Sequence, residues 1–342
     1  MVARVTLSDV ARAAGVSLAT ASRALNGSSN RTVQPALRER VLAAAESLRY
    51  TPDANAQAMA RGATSSVGLI VHDIADPYFS GIAAAVTRAA DRVGLHVTLA
   101  STQHQPDREH ELVALMRRLR TRAVIIAGGR MADPEREARL RDALGDLMAA
   151  GASVAVVGQP LEGIDSVVID NPGGAAALAG ALLERGYTTA GVLGGPPEHQ
   201  TARARRESFV DAFRAGGGTV GEEHVVHGLF TWEGGASAME ALLGRPDRPQ
   251  VVFAVNDVMA LGALSAARAL GVRVPDDVAV AGFDDIVTLR DVVPGLTTVR
   301  IPLDEAGEAA AELALDGMGG GEARRRLVRT EVVLRESTPP RA

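Results

Sequence analysis

Polar side chains recur at one kind of place in this sequence, directly after short apolar runs. Asp73 and Asp76 follow one run, Gln159 another, Asp170 and Asn171 a third, Asn256 and Asp257 a fourth, and Asp284 and Asp285 a fifth. Carboxylates and amides of this kind pair with hydroxyls, as donors or as acceptors, which suits a sugar or polyol. The usual catalytic groups are not assembled. No Gly-x-Gly-x-x-Gly follows the first run, and no Gly-x-Ser-x-Gly elbow occurs. Ala114 stands where a zinc-binding motif opened by His110-Glu111 needs its second His. The seven His are scattered and read as solvated or structural. All 36 basic residues are Arg, and the chain holds neither Lys nor Cys. Schiff-base chemistry, a Walker A loop, thiol catalysis and thiolate metal sites therefore drop out. The expectation is a binding protein and not an enzyme, with no cofactor and no metal.

The apolar runs behave as strands and the stretches between them as helices. Strands are expected at 67–71, 95–100, 123–127, 153–157, 167–169, 190–193, 251–255 and 278–281, with helices such as 79–93, 108–120, 173–185, 205–215 and 258–270 between them. That alternation predicts parallel sheets covered on both faces, and 342 residues are enough for two of them beside a smaller N-terminal unit. Ligands of open α/β sheets bind beyond the carboxyl ends of the strands, where the polar residues fall.

The N-terminal segment is different. Residues 1–62 carry eight Arg and four acids, net +4, whereas the rest carries net −9, so the overall −5 averages two unlike parts. A basic end on an acidic body is the asymmetry expected when one end meets phosphate. Thr6 and Asp9 have capping-box spacing, and Leu7, Val10, Ala11 and Ala14 mark one helical face. Gly15 can make a tight turn and Ser17 can cap a second helix over 18–25. A third helix is expected over 35–48, with Leu37, Val41, Ala45 and Leu48 inward. Two helices joined by a Gly turn and braced by a third make a helix-turn-helix.

The run Val5-Thr-Leu-Ser-Asp-Val-Ala-Arg-Ala-Ala-Gly-Val-Ser-Leu-Ala-Thr-Ala-Ser-Arg-Ala-Leu-Asn26, with Arg38-Glu-Arg-Val-Leu-Ala-Ala-Ala-Glu46 and Tyr50-Thr-Pro52, closely resembles the DNA-binding headpiece of LacI/GalR-type transcriptional regulators. The likeness continues in Val255-Asn-Asp-Val-Met-Ala-Leu-Gly262 and Val274-Pro-Asp-Asp-Val-Ala-Val-Ala-Gly-Phe-Asp-Asp285, which are similar to segments of that family's effector domain. The resemblance implies a headpiece over 1–50, a hinge helix over 51–63 and a two-lobed, periplasmic-binding-protein-like domain over 64–342. Its N-lobe would comprise about 64–160 with 292–320, and its C-lobe about 161–291 with 321–342. A transport binding protein, the alternative with the same body fold, would carry an export signal and no headpiece.

By resemblance, Leu18, Ala19 and Arg23 meet base edges in the major groove, where Arg can bond guanine O6 and N7 together. Thr6, Ser17, Thr20, Ser22 and Asn26 would contact phosphates. Ala56 and Met59 would enter the minor groove from the hinge, Met59 standing where the family usually has Leu. Asp76, Tyr78, Gln159, Arg205, Phe230, Asn256 and Asp284 would contact the effector. Gln159 replaces a frequent Arg and Asp76 a usual Asn, which argues against a strongly anionic ligand. The implied protein is a cytoplasmic homodimer, most simply a repressor, that binds a pseudo-palindromic operator under effector control. The tail 336–342 has no heptads for a coiled-coil tetramer, and no apolar run approaches the ~18 residues of a membrane span.

Overall fold

A computed structural model of the chain describes residues 5–26, 33–51, 64–316 and 322–341. It divides into two compact units, Met1–Ser65 and Ser66–Ala342. The expected hinge at 51–63 lies, apart from Thr51, outside the described residues.

The first unit packs α1 (Leu7–Ala14), α2 (Leu18–Asn26) and α3 (Pro35–Ser47). Thr6 and Asp9 close a reciprocal capping box on α1. Gly15 then takes φ 62°, a left-handed conformation that side chains with a Cβ adopt at a cost. The helices bury Val10, Ala11, Ala14, Ala21, Ala24, Val41 and Ala45 against one another. Most are alanine, so the helices approach closely with little side-chain entropy lost. Leu7, Leu25 and Leu48 pack on this core as expected, but Leu37 does not join it. The guanidinium of Arg40 donates to the Ala14 carbonyl at 2.6 Å and satisfies the end of α1 from α3.

In the second unit the order is β1 (Ser66–Val71), α4 (Pro77–Arg92), β2 (His96–Ser101), α5 (Arg108–Arg118), β3 (Ala123–Ala127), α6 (Pro134–Ala149), β4 (Ser153–Val157), β5 (Asp165–Ile169), α7 (Asn171–Glu184), β6 (Ala190–Leu193), α8 (Gln200–Ala215), β7 (Val225–Val226), α9 (Trp232–Leu243), β8 (Val251–Ala254), α10 (Asp257–Ala269), β9 (Ala279–Ala281), β10 (Thr298–Arg300), α11 (Leu303–Asp316), β11 (Arg325–Val328) and β12 (Glu331–Val333). One sheet has the order β11-β5-β4-β3-β1-β2 and another β7-β6-β8-β9. Every pairing in both is parallel, whereas β10 and β12 form a separate antiparallel pair. β3 and β4 are buried along their whole length, as strands covered on both faces must be.

The lobe boundaries differ from those expected. β5 and β11 belong to the first sheet, so the chain leaves the N-lobe at 169–171 and not at 161. Residues 298–300, placed in the N-lobe by resemblance, instead pair with β12, and Thr297 and Arg300 bridge to Ala281 of β9 and to Asp284 just after it. The chain therefore crosses between lobes three times, near 170, 301 and 329. The reason is packing: α11 lies against α4 and covers β4 and β5, and the Ser153 hydroxyl bonds the Ala314 carbonyl. Its apolar face completes the N-lobe core late in the sequence.

Candidate functional site

Helix α2 presents an outward row. Leu18 is 51% exposed and Ala19 is exposed, while Thr20, Ser22 and Arg23 are half-buried along the same helix. Ser17 caps the helix, its Oγ accepting from the Thr20 amide at 3.1 Å, and the two hydroxyls lie 2.8 Å apart. Arg23 folds back along the helix, its Nε donating to the Ala19 carbonyl at 3.0 Å. Thr6 is exposed at the start of α1. The side chain of Asn26, and Ala56 and Met59, fall outside the described residues.

Within the second unit a cleft of about 370 Å³ opens where the two parallel sheets end toward each other. Six of the seven expected contact residues line it: Asp76, Tyr78, Arg205, Phe230, Asn256 and Asp284. Several arrive there because a strand end feeds a helix N-terminus. Asp76 caps α4 by accepting from the Tyr78 amide at 2.9 Å, and Asn256 caps α10 by accepting from the Met259 amide at 2.9 Å. A cap uses one side-chain oxygen, leaving the second carboxylate oxygen of Asp76 and the amide nitrogen of Asn256 for other partners.

Gln159 does not line the cleft, contrary to expectation. Its Oε1 accepts from the Arg130 amide at 3.0 Å and its Nε2 donates to Thr201 Oγ1 at 2.8 Å. An amide has both a donor and an acceptor end, so here it ties one lobe to the other. The same seam carries backbone bonds from Ala132 to the Glu198 carbonyl at 2.8 Å and from Gln200 to the Arg130 carbonyl at 2.9 Å.

Arg205 is the most constrained group in the cleft, 2% exposed. Its Nε donates to Asn171 Oδ1 at 2.7 Å, its Nη1 to the Val255 carbonyl at 2.8 Å, and its Nη2 lies 2.9 Å from Asp284 Oδ1. The guanidinium plane sits 3.9 Å over the Phe283 ring. Burial pushes the Asp284 carboxyl well above the usual range, with Arg205 pulling it the other way. Burial also raises Asp76 and the Tyr78 hydroxyl. Asp257 and Asp285 do not reach the cleft. Asp257 is buried against Thr298 and the Ile286 amide, and Asp285 pairs with Arg300 and Arg335.

The histidines prove less scattered than their spacing suggests. His72, His104, His110 and His199, four of the seven in the chain, line this one cleft. His72 lies edge-on to His104 and to His199, with ring centroids 6.2 and 6.5 Å apart, and His199 stacks on Phe230 at 4.7 Å. His72 also abuts Phe79, which meets Tyr78, so rings run continuously from one lobe to the other. Glycine makes room for them. A Cβ on Gly128 would come within 2.6 Å of His72 Nε2, and one on Gly129 would collide with Thr201 and His199. His199 is the N-cap of α8, accepting from the Ala202 amide at 3.3 Å. The helix thus starts five residues before the expected 205, since imidazole is not a customary cap.

Burial lowers the His72 pKa to about 3 and the His199 pKa to about 4, with neighbouring His104 and the cations Arg130 and Arg205 adding to the effect. Both rings are neutral near pH 7. Since the unfolded value is 6.5, their stabilising contribution is complete above that pH and is lost as pH falls toward the folded values. For His199 the loss should reach about 2 kcal/mol at about pH 5. Urea unfolding of the wild type and His199→Gln at both pH values checks this: the variant should lose less on acidification, and identical losses would refute it.

Among the described residues, no cluster of three or more His, Cys, Asp or Glu could hold a metal ion, and no helix is long and apolar enough to cross a membrane.

Comparison with known proteins adds to this geometry. Residues 6–53 match the model of bacterial regulatory proteins, lacI family, and residues 179–338 match that of a periplasmic binding protein-like domain. The chain is 35% identical to the HTH-type transcriptional regulator GalS of Salmonella typhimurium over 92% of this chain and 91% of that protein. It is 34% identical to the HTH-type transcriptional repressor CytR of Escherichia coli over 97% and 96%. A solved complex of the transcriptional regulator CelR with cellobiose shares 32% identity at a TM-score of 0.71, covering 98% of this chain and all of that one. The lac repressor dimer bound to operator and the anti-inducer ONPF shares the fold, at a TM-score of 0.81 and 24% identity over the same proportions.

Proposed function

The chain belongs to the LacI family of DNA-binding transcriptional regulators, and from that premise we propose that it acts as a repressor whose operator affinity is set by a sugar or polyol held between the lobes of its body. A transport role is disfavoured, because residues 6–53 match the regulator headpiece. The observation that carries the effector reading is the cleft itself. Its buried Arg205–Asp284 pair, the free second ends of Asp76 and Asn256, and the Phe230–His199 stack combine polar groups with flat apolar faces. Sugars have hydroxyl edges and apolar ring faces, and match both. The relative whose structure names cellobiose supports the same class.

On DNA, α2 enters the major groove, with Leu18, Ala19 and Arg23 at the bases and Thr6, Ser17, Thr20, Ser22 and Asn26 at phosphates. Ala56 and Met59 of the hinge occupy the minor groove. The protein works in the cytoplasm as a homodimer on a pseudo-palindromic site, without catalysis. Exposed apolar side chains support the dimer: Val293 is 85% and Trp232 42% exposed beside Leu261 on the C-lobe, and Leu99 is 42% exposed on the edge strand β2. Such surface in one protomer favours a partner. Effector binding changes the lobe arrangement and thereby the affinity for DNA, a coupling between two sites.

A salt titration of operator binding, with and without saccharides, tests this reading. The expected result is a steep fall of log K with log salt and a shift in affinity when a sugar is added. A flat salt dependence would overturn the DNA assignment, and affinity unmoved by every sugar and polyol would overturn the effector assignment.

A further inference from the structure

The contact residues discussed above leave one end of the cleft unassigned, where N-lobe residues around Arg130 lie beside the seam with the C-lobe. Glu109 at the start of α5 and Glu137 on α6 line it together with Arg130 from the turn after β3. Arg130 is 8% exposed and feels both carboxylates. Its guanidinium nevertheless donates to the carbonyls of Gln159 and Pro160, at 2.7 and 3.3 Å, and it forms no ion pair among the described residues. Pro106, Met131 and Leu140 supply apolar surface at the same end.

A hydroxyl both donates and accepts, so it is the polar group that a carboxylate and a guanidinium can serve together. A phosphate offers only acceptors and would face two carboxylates. An ammonium offers only donors and would face Arg130. The apolar surface fits the C–H face of a ring. Burial raises the Glu109 carboxyl, with Arg130 opposing, so this group is already partly stripped of water before a ligand arrives.

Resting on the sugar reading above, we propose that this end of the cleft receives a second, uncharged, hydroxyl-bearing ring, so that the effector is a disaccharide and not a free hexose. Asp76, Asn256 and Asp284 then hold one ring, and Glu109, Glu137 and Arg130 the other.

Calorimetric titration of the full-length protein with maltose, cellobiose, lactose and melibiose, and with glucose, galactose, glucosamine and glucose phosphate, tests the proposal. The best disaccharide should bind at least about tenfold tighter than any single ring. Glu109→Gln and Glu137→Gln should each weaken disaccharide binding about tenfold, the scale of one charge-assisted hydrogen bond, and leave hexose binding unchanged. A hexose binding as tightly as every disaccharide, with both variants silent, overturns the second ring while the sugar reading stands. Tighter binding of glucose phosphate or glucosamine than of the neutral sugars also overturns it. If no saccharide of either size binds, the sugar reading falls and the second ring with it.

Discussion

Arg205→Met is expected to abolish the effector response and to destabilise the body by about 3–5 kcal/mol, the scale for removing one partner of a buried ion pair. Four groups depend on this guanidinium: Asp284, Asn171, the Val255 carbonyl and the face of Phe283. Methionine keeps much of the apolar stem but offers none of the donors, so a carboxylate and two carbonyl-type oxygens are left in the interior unpaired. Urea unfolding measures the stability, and operator release by saccharide measures the response. The double variant Arg205→Met with Asp284→Leu separates the two effects. Replacing a whole buried pair by apolar groups is often neutral or better, but the Asn171 and Val255 oxygens stay unpaired, so stability should return in part while the response stays lost. A double variant with a normal effector response would show that the pair only braces the C-lobe and does not touch the ligand.

Arg23→Ala is expected to cost about 1–3 kcal/mol of discrimination between the cognate operator and a scrambled duplex, or about 5- to 150-fold. In the free protein Arg23 is held by the Ala19 carbonyl, one turn back on its own helix. That bond is exposed and weak, and exchanging it for two bonds to guanine gains energy only on the correct base. The alanine variant should therefore keep its affinity for scrambled DNA and change the slope of log K against log salt by less than about one ion. Fluorescence anisotropy on both duplexes decides the matter: equal losses on the two would make Arg23 a phosphate contact.

Much of the fold was legible because it rests on local pattern. The apolar runs at 123–127 and 153–157 became β3 and β4 at the expected residues, and Thr6, Asp9 and Gly15 act at the ends of α1 as their types require. Of the nine polar residues named after the apolar runs, Asp76, Asn171, Asn256 and Asp284 line the cleft, since strand ends meet there. What stayed hidden depends on distant partners. Periodicity could not show that β11 joins β5, because a strand's sheet is chosen by the surface that it covers. Gln159 looked like a ligand group and proved to be a tie, because its two partners lie 29 and 42 residues away. The histidines are far apart in sequence, and only folding brings four of them to one cleft.

The order of the strands also has a bearing on synthesis. The N-lobe sheet has its outer strand at 325–328 and its covering helix at 303–316, close to the end of the chain. The first unit, by contrast, has its three described helices by residue 47. A ribosome making this protein therefore releases these three helices long before either lobe of the body can close. A message truncated anywhere between them yields a fragment with its three N-terminal helices made and its sheet edges bare. Such a fragment would be a substrate for proteolysis before it could become a regulator deaf to its signal.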